Sequence, residues 1–173
     1  MRKFAVILFC IATLAMCWLG MMAVHELGHV VGAVLSGGTV TKVVLSPLAI
    51  SRTDVSPNPY PGFVVWLGPL LGCVLPLAAW SLVPRSWTWP RGIAQFFAGF
   101  CLIANGAYIG LGSFEQIGDC REMLRTGSPV WTLWLFGFIT TPTGFWLWHR
   151  MVSPRQLLKD PIASDSTETI KEE

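Results

Sequence analysis

FAVILFCIATLAMCWLGMMAVHELGH, residues 4–29, joins an uncharged apolar run directly to two histidines and a glutamate. The run is long enough to cross a membrane as a helix, since about 20 apolar residues cover ~30 Å of hydrocarbon. A carboxylate near a bilayer centre costs at least ~2.5–3.5 kcal/mol on an insertion scale. His25, Glu26 and His29 therefore require something that offsets their burial. The apolar character resumes after them to about residue 36, so the segment reads as a span and not as a cleaved leader.

The whole chain agrees with a membrane setting. Its 173 residues suit one domain. They are 53% hydrophobic and only 13% charged, against roughly 25% charged in ordinary soluble domains. The mean hydropathy is +0.55. A formal charge of +2, with no basic run or phosphate-cradling glycine loop, argues against a nucleic-acid partner. The five cysteines are odd in number and lack CxxC spacing, which argues against a disulfide framework and a cysteine-based zinc site.

Three further apolar stretches follow, at residues 62–83, 92–112 and 130–150. Each is about 20 residues, the length of a membrane-crossing helix. The expected fold is an all-α polytopic membrane protein with about four transmembrane helices, occupying residues 1–152 and embedded in the bilayer. The expected location is multi-pass in the cell membrane. Pro69, Pro76 and Pro142 are expected to kink or unwind their helices locally. Residues 37–60, GGTVTKVVLSPLAISRTDVSPNPY, carry a β-branched patch bounded by Gly-Gly and a Pro-rich segment, which predicts a short strand or hairpin. Residues 84–91, PRSWTWPR, read as a tight interfacial turn. Residues 113–128 form the most polar internal segment. The tail 153–173 is polar and expected to be disordered. A cytoplasmic N-terminus would place Arg2, Lys3, Arg85, Arg91, Arg150, Arg155, Lys159 and Lys171 inside. Lys42, Arg52, Arg121 and Arg125 would then lie outside, favouring an N-in, C-in arrangement.

HELGH has a specific chemical reading. Residues four apart share a helix face, so His25 and His29 can each offer one nitrogen to a single metal ion. Glu26 lies further round, placed to act as general base on a metal-activated water. An HExxH arises by chance in about one chain of this length in a few hundred. Hydrogen bonding within a helix bundle is the plain alternative. A catalytic zinc ion (Zn2+) needs a third protein ligand and an open position. His149 belongs to the far end of the fourth stretch. The candidates are Asp54, Glu115, Asp119, Glu122 and Cys120. A helix beginning near residue 3 carries His25 ~33 Å along its axis, toward its exit side. The third stretch ends on that side, and Asp119 follows shortly after, with Gly118 permitting a sharp approach of backbone to metal. Asp119 as a helix N-cap before REML is the alternative.

These residues together resemble the site-2 protease family of intramembrane zinc metalloproteases. HELGH matches that family's zinc motif, which implies His25 and His29 as ligands and Glu26 as the base. GDCREMLRTG resembles its second motif, implying Asp119 as third ligand. GGTVTKVVLSPLAI resembles its edge strand, implying Val40 and Val43 as substrate contacts. WLGPLLG resembles its small-residue core helix. The similarity covers roughly residues 15–128, and HELGH is its specific part. The resemblance implies hydrolysis of peptide bonds in membrane-anchored protein substrates, within or near the bilayer. There are departures. Cys120 stands where that family has a glycine after the Asp. The family's Asn-Pro element is absent, with Asn105 available to bind substrate backbone or to make a helix–helix hydrogen bond. The charge count puts the metal near the outer face, where the family has it nearer the cytoplasm. Two rival readings are a non-catalytic scaffold or pseudoprotease with a structural metal site, and a transport or assembly subunit. The intact Glu26 disfavours the first, and the scarcity of ionisable residues in the later stretches disfavours the second.

Overall fold

In a computed structural model, residues 2–47 and 49–151 are described. The expected disordered tail at 153–173 lies outside them. The order is α1 (Arg2–Leu35), β1 (Val40–Val44), β2 (Arg52–Val55), α2 (Pro61–Leu82), α3 (Thr88–Glu115), α4 (Gly118–Arg125) and α5 (Val130–His149). The chain is thus mostly helical, with one small antiparallel sheet. Three helices, α1, α2 and α3, are long and apolar enough to cross a membrane. This is one fewer than expected. The fourth apolar stretch does form the 20-residue helix α5, in which tryptophans and threonines are interspersed with the aliphatic residues.

Successive long helices run antiparallel. Gly28 of α1 meets Leu67 and Gly68 of α2, and four residues on Gly32 meets Val64, four residues back. Val65 of α2 packs with Ile109 of α3, whereas Cys73 packs with Ala98 and Leu102. Small residues let α3 and α5 approach closely, with Gly99 against Gly144 and Gly110 against Gly137, as in helix packing within lipid. One end of the bundle therefore gathers the C-termini of α1 and α3, the N-termini of α2 and α5, the hairpin and α4.

The connectors refine the expectations. The 37–60 segment is a hairpin, with Val43 opposite Thr53 and Val44 opposite Arg52. Its first strand covers five residues of that segment. Pro69 and Pro76 remain inside the helical run of α2, and Pro142 inside α5. The expected turn at 84–91 is half absorbed, because α3 already starts at Thr88. Pro90 falls in the first helical turn, where its missing N–H has no intrahelical partner to lose. Arg91 donates to the carbonyl oxygens of Val83 (2.5 Å) and Trp80 (3.4 Å), closing the end of α2.

The largest difference lies in the polar segment. α3 runs on to Glu115, and the chain then reverses through Gln116 and Gly118, both left-handed with φ of 49° and 50°. It re-enters the bundle as α4. Cys120 and Met123 are buried against Val65, Ile109 and Leu133. What reads as a polar loop is a short amphipathic helix tucked between the ends of α2, α3 and α5.

Candidate metal centre

α1 sets the geometry. His25, Glu26 and His29 are 7%, 3% and 6% exposed, so all three sit inside the bundle. Gly28 is what allows this. A Cβ there would overlap the Leu67 carbonyl, and a Cβ on Gly68 would overlap the His29 ring. The glycine at position 28 thus makes room for the neighbouring helix. Gly68 lies seven residues into α2, so the site is about 10 Å below the end of that helix.

The re-entrant α4 brings Asp119 to the same level. Asp119 Oδ2 lies 2.7 Å from His25 Nε2 and 3.4 Å from His29 Nε2. The two Nε2 atoms are 3.1 Å apart. The Asp119 backbone N–H donates to the Tyr108 hydroxyl at 3.0 Å, and the Tyr108 ring packs edge-on to His25. Gly118 therefore allows close approach to Tyr108, not to the metal position, since any Cβ would strike the Tyr108 oxygen. Asp119 occupies the first turn of α4, while the N-cap is Ile117.

The outer ring nitrogens fix the tautomers. His29 Nδ1–H donates to the Val64 carbonyl at 2.9 Å, a group that can only accept. Asn105 Nδ2 donates to the Cys101 carbonyl at 2.9 Å, which turns Oδ1 toward His25. That oxygen accepts from His25 Nδ1–H at 2.6 Å. With both Nδ1 atoms protonated, the neutral rings present bare Nε2 lone pairs to each other and to a carboxylate. Three acceptors at contact distance repel unless a cation lies between them. A metal ion meets this need, and the donor set of two imidazoles and one carboxylate suits one. Metal–ligand bonds of about 2.0–2.1 Å at tetrahedral angles put donors about 3.3 Å apart. The observed 2.7, 3.1 and 3.4 Å bracket that spacing.

The other third-ligand candidates are not at this position. Asp54 pairs with Arg52, Glu122 pairs with Arg125, and Glu115 is exposed at the end of α3. Cys120 turns into the apolar core, and burial pushes its thiol up to about 11. Asn105 is 1% exposed and engages His25 and Cys101. Its carboxamide thus makes the helix–helix contact. Val40 and Val43 lie on β1, where they pair with β2, and Val43 is 44% exposed. Pro69 is fully buried in α2.

Glu26 faces a cleft of about 360 Å³ that also opens onto His25, Asp119, Asn105 and Tyr108. Its Oε2 accepts from Thr53 Oγ1–H at 2.7 Å. Thr53, Tyr108 and the Val64 carbonyl had drawn no attention in the sequence. The signal for Tyr108 is its three-residue spacing to Asn105, which puts both on one helix face; a backbone carbonyl leaves no sequence signal. No family model, curated protein or solved structure matches this chain.

Proposed function

We propose that this chain is an intramembrane zinc metalloprotease of the site-2 protease kind, hydrolysing peptide bonds of membrane-anchored protein substrates within or near the bilayer. The observation that carries the reading is the convergence of His25 Nε2, His29 Nε2 and Asp119 Oδ2, with both Nδ1 hydrogens already engaged, beside the buried Glu26. A purely structural site needs no carboxylate held at its open side. On this reading α5, which spans about 30 Å, is a fourth crossing packed on α3, and the cell membrane is the location.

Zinc, when bound by these three side chains, supplies the Lewis acidity that polarises an amide carbonyl and makes water acidic near neutral pH. The remaining work belongs to the chain. Asn105 and the Val64 carbonyl hold the histidine rings in the ligating tautomer. Tyr108 holds the backbone of Asp119. Glu26 takes the proton from the attacking water and delivers it to the leaving amine. Thr53 grips one carboxylate oxygen of Glu26. The exposed strand β1, with Val40 and Val43, is a candidate surface for pairing with an unwound substrate.

The test is zinc content and cleavage measured together, in detergent-purified protein after zinc reconstitution. Wild type and Glu26→Gln should hold about one zinc per chain, and His25→Ala and Asp119→Ala close to none. Cleavage of a co-reconstituted single-span reporter should fall by about 10²–10⁴-fold in Glu26→Gln. Absence of zinc in the wild type, or full cleavage by Glu26→Gln, would overturn the proposal.

A further inference from the structure

On α1, Trp18, Met21, Met22, His25, Glu26 and His29 recur at three- and four-residue spacing and share one face. The face changes character at one height. It is polar from His25 toward the hairpin end and apolar from Met22 toward the N-terminus. The cleft beside Glu26 spans this boundary. Its polar wall carries His25, Glu26 and Asp119, and its apolar wall carries Trp18, Met22 and Ile50. The apolar wall is completed by the β1–β2 connection, which is fastened to α1 at two points. Trp18 Nε1–H donates to the Pro47 carbonyl at 3.2 Å, and Ser51 Oγ–H donates to Met22 Sδ at 3.2 Å. Among the described residues lining the cleft, charge is confined to the polar wall.

We infer that the apolar wall is a subsite for one bulky apolar side chain of the substrate, adjacent to the scissile bond on the side toward the bilayer interior. The inference rests on the metalloprotease reading and names the substrate class for that site. Met21 lies four residues from His25, about 6 Å along the helix. A side chain next to a carbonyl held against the metal ligands reaches that distance. A phenyl or isobutyl group there leaves water for an apolar surface, whereas a carboxylate is desolvated with no cationic partner on that wall. Selection therefore works by attraction and by exclusion together. The direction follows from the helix, because Trp18 and Met22 lie N-terminal to His25 on α1, on the side away from the end where α1 leaves the bundle, and the tip of the hairpin reaches down to them.

The test uses amino-acid hydroxamates, which bring a chelating group to the metal and a side chain to the wall. Binding of glycine, phenylalanine and aspartate hydroxamates to zinc-loaded, detergent-purified protein is measured by calorimetry, with zinc content determined in parallel. The phenylalanine compound should bind at least about tenfold tighter than the glycine compound, and the aspartate compound more weakly than glycine. Ala49→Trp, which fills the cleft, and Ile50→Asp, which charges it, should each bring the phenylalanine-to-glycine ratio toward one at full zinc content. Equal binding of glycine and phenylalanine hydroxamates by the wild type would overturn the subsite and leave the metal centre standing. A phenylalanine advantage surviving in both variants would also overturn it. Failure of zinc loading, or of every hydroxamate to bind, would overturn the metalloprotease reading with it.

Discussion

Gly118 holds φ at 50°, the Tyr108 hydroxyl occupies the space a Cβ there would need, and the next residue is the proposed third ligand. An alanine there costs about 1–2 kcal/mol in the left-handed region and displaces Tyr108, which accepts the Asp119 N–H. Gly118→Ala should therefore weaken zinc binding by about tenfold or more in chelator competition, and wild-type affinity would show that the Tyr108 contact does not set the position of Asp119. Asn105→Ala removes the acceptor that fixes the His25 tautomer, and zinc affinity should fall by about 10–100-fold, as for other partners that orient metal-binding histidines. An unchanged affinity would mean that His25 needs no such partner. HELGH was legible because its spacing and residue types carry the chemistry themselves. Asp119 was legible only through a placement argument, and the cause assigned to Gly118 needed correction. Tyr108 and the Val64 carbonyl depend on which turn of α3 and α2 faces α1, and local sequence does not state that.

Between elements, the site depends on two contacts of different kinds. The first is the backbone approach of α1 to α2, where Gly68 supports the His29 ring. Overpacking of this sort costs about 1–3 kcal/mol. Gly68→Leu should lower thermal stability and release zinc, while Gly92→Ala, a change at an open position on α3, should do neither. The second contact joins the hairpin to the base. Thr53 donates to Glu26 at 2.7 Å, and a hydrogen bond to a charged, buried group contributes about 1.5–3 kcal/mol. Thr53→Val should lower kcat by about tenfold or more with KM and zinc content near wild type, and Thr53→Ser should restore it. Equal losses in Val and Ser variants would point to disturbed hairpin packing instead. The hairpin itself was readable from its β-branched patch and bounding glycines. α4 was legible only as the alternative helix before REML, because half of its eight residues are charged and the burial of Cys120 and Met123 is set by the neighbouring helices.

At the scale of the whole molecule, the antiparallel order gives the protein two unlike ends. The candidate metal centre lies nearer the end that carries the base of the hairpin and α4, where Lys42, Arg52, Arg121 and Arg125 are accompanied by Asp54, Glu115, Asp119 and Glu122. The opposite end carries Lys3, Arg85, Arg91 and Arg150 without an acidic residue among those described. Positively charged flanks are retained on the cytoplasmic side, and acidic residues contribute little to that choice. With Arg2 at the start of α1 counted on that second end, the cations of the described residues divide five against four. Arg155, Lys159 and Lys171 follow α5 in sequence and add to that count. The metal-bearing end should then face outward. In a cysteine-free background, Lys42→Cys should react with an impermeant maleimide added to intact cells, and Ser86→Cys, in the α2–α3 turn, only after permeabilisation. The reverse pattern would put the cleft and the hairpin on the cytoplasmic side, as the resemblance to site-2 proteases implies. Either orientation fixes which half of a substrate span meets the apolar wall, since that wall lies on the bilayer-interior side of His25 in both.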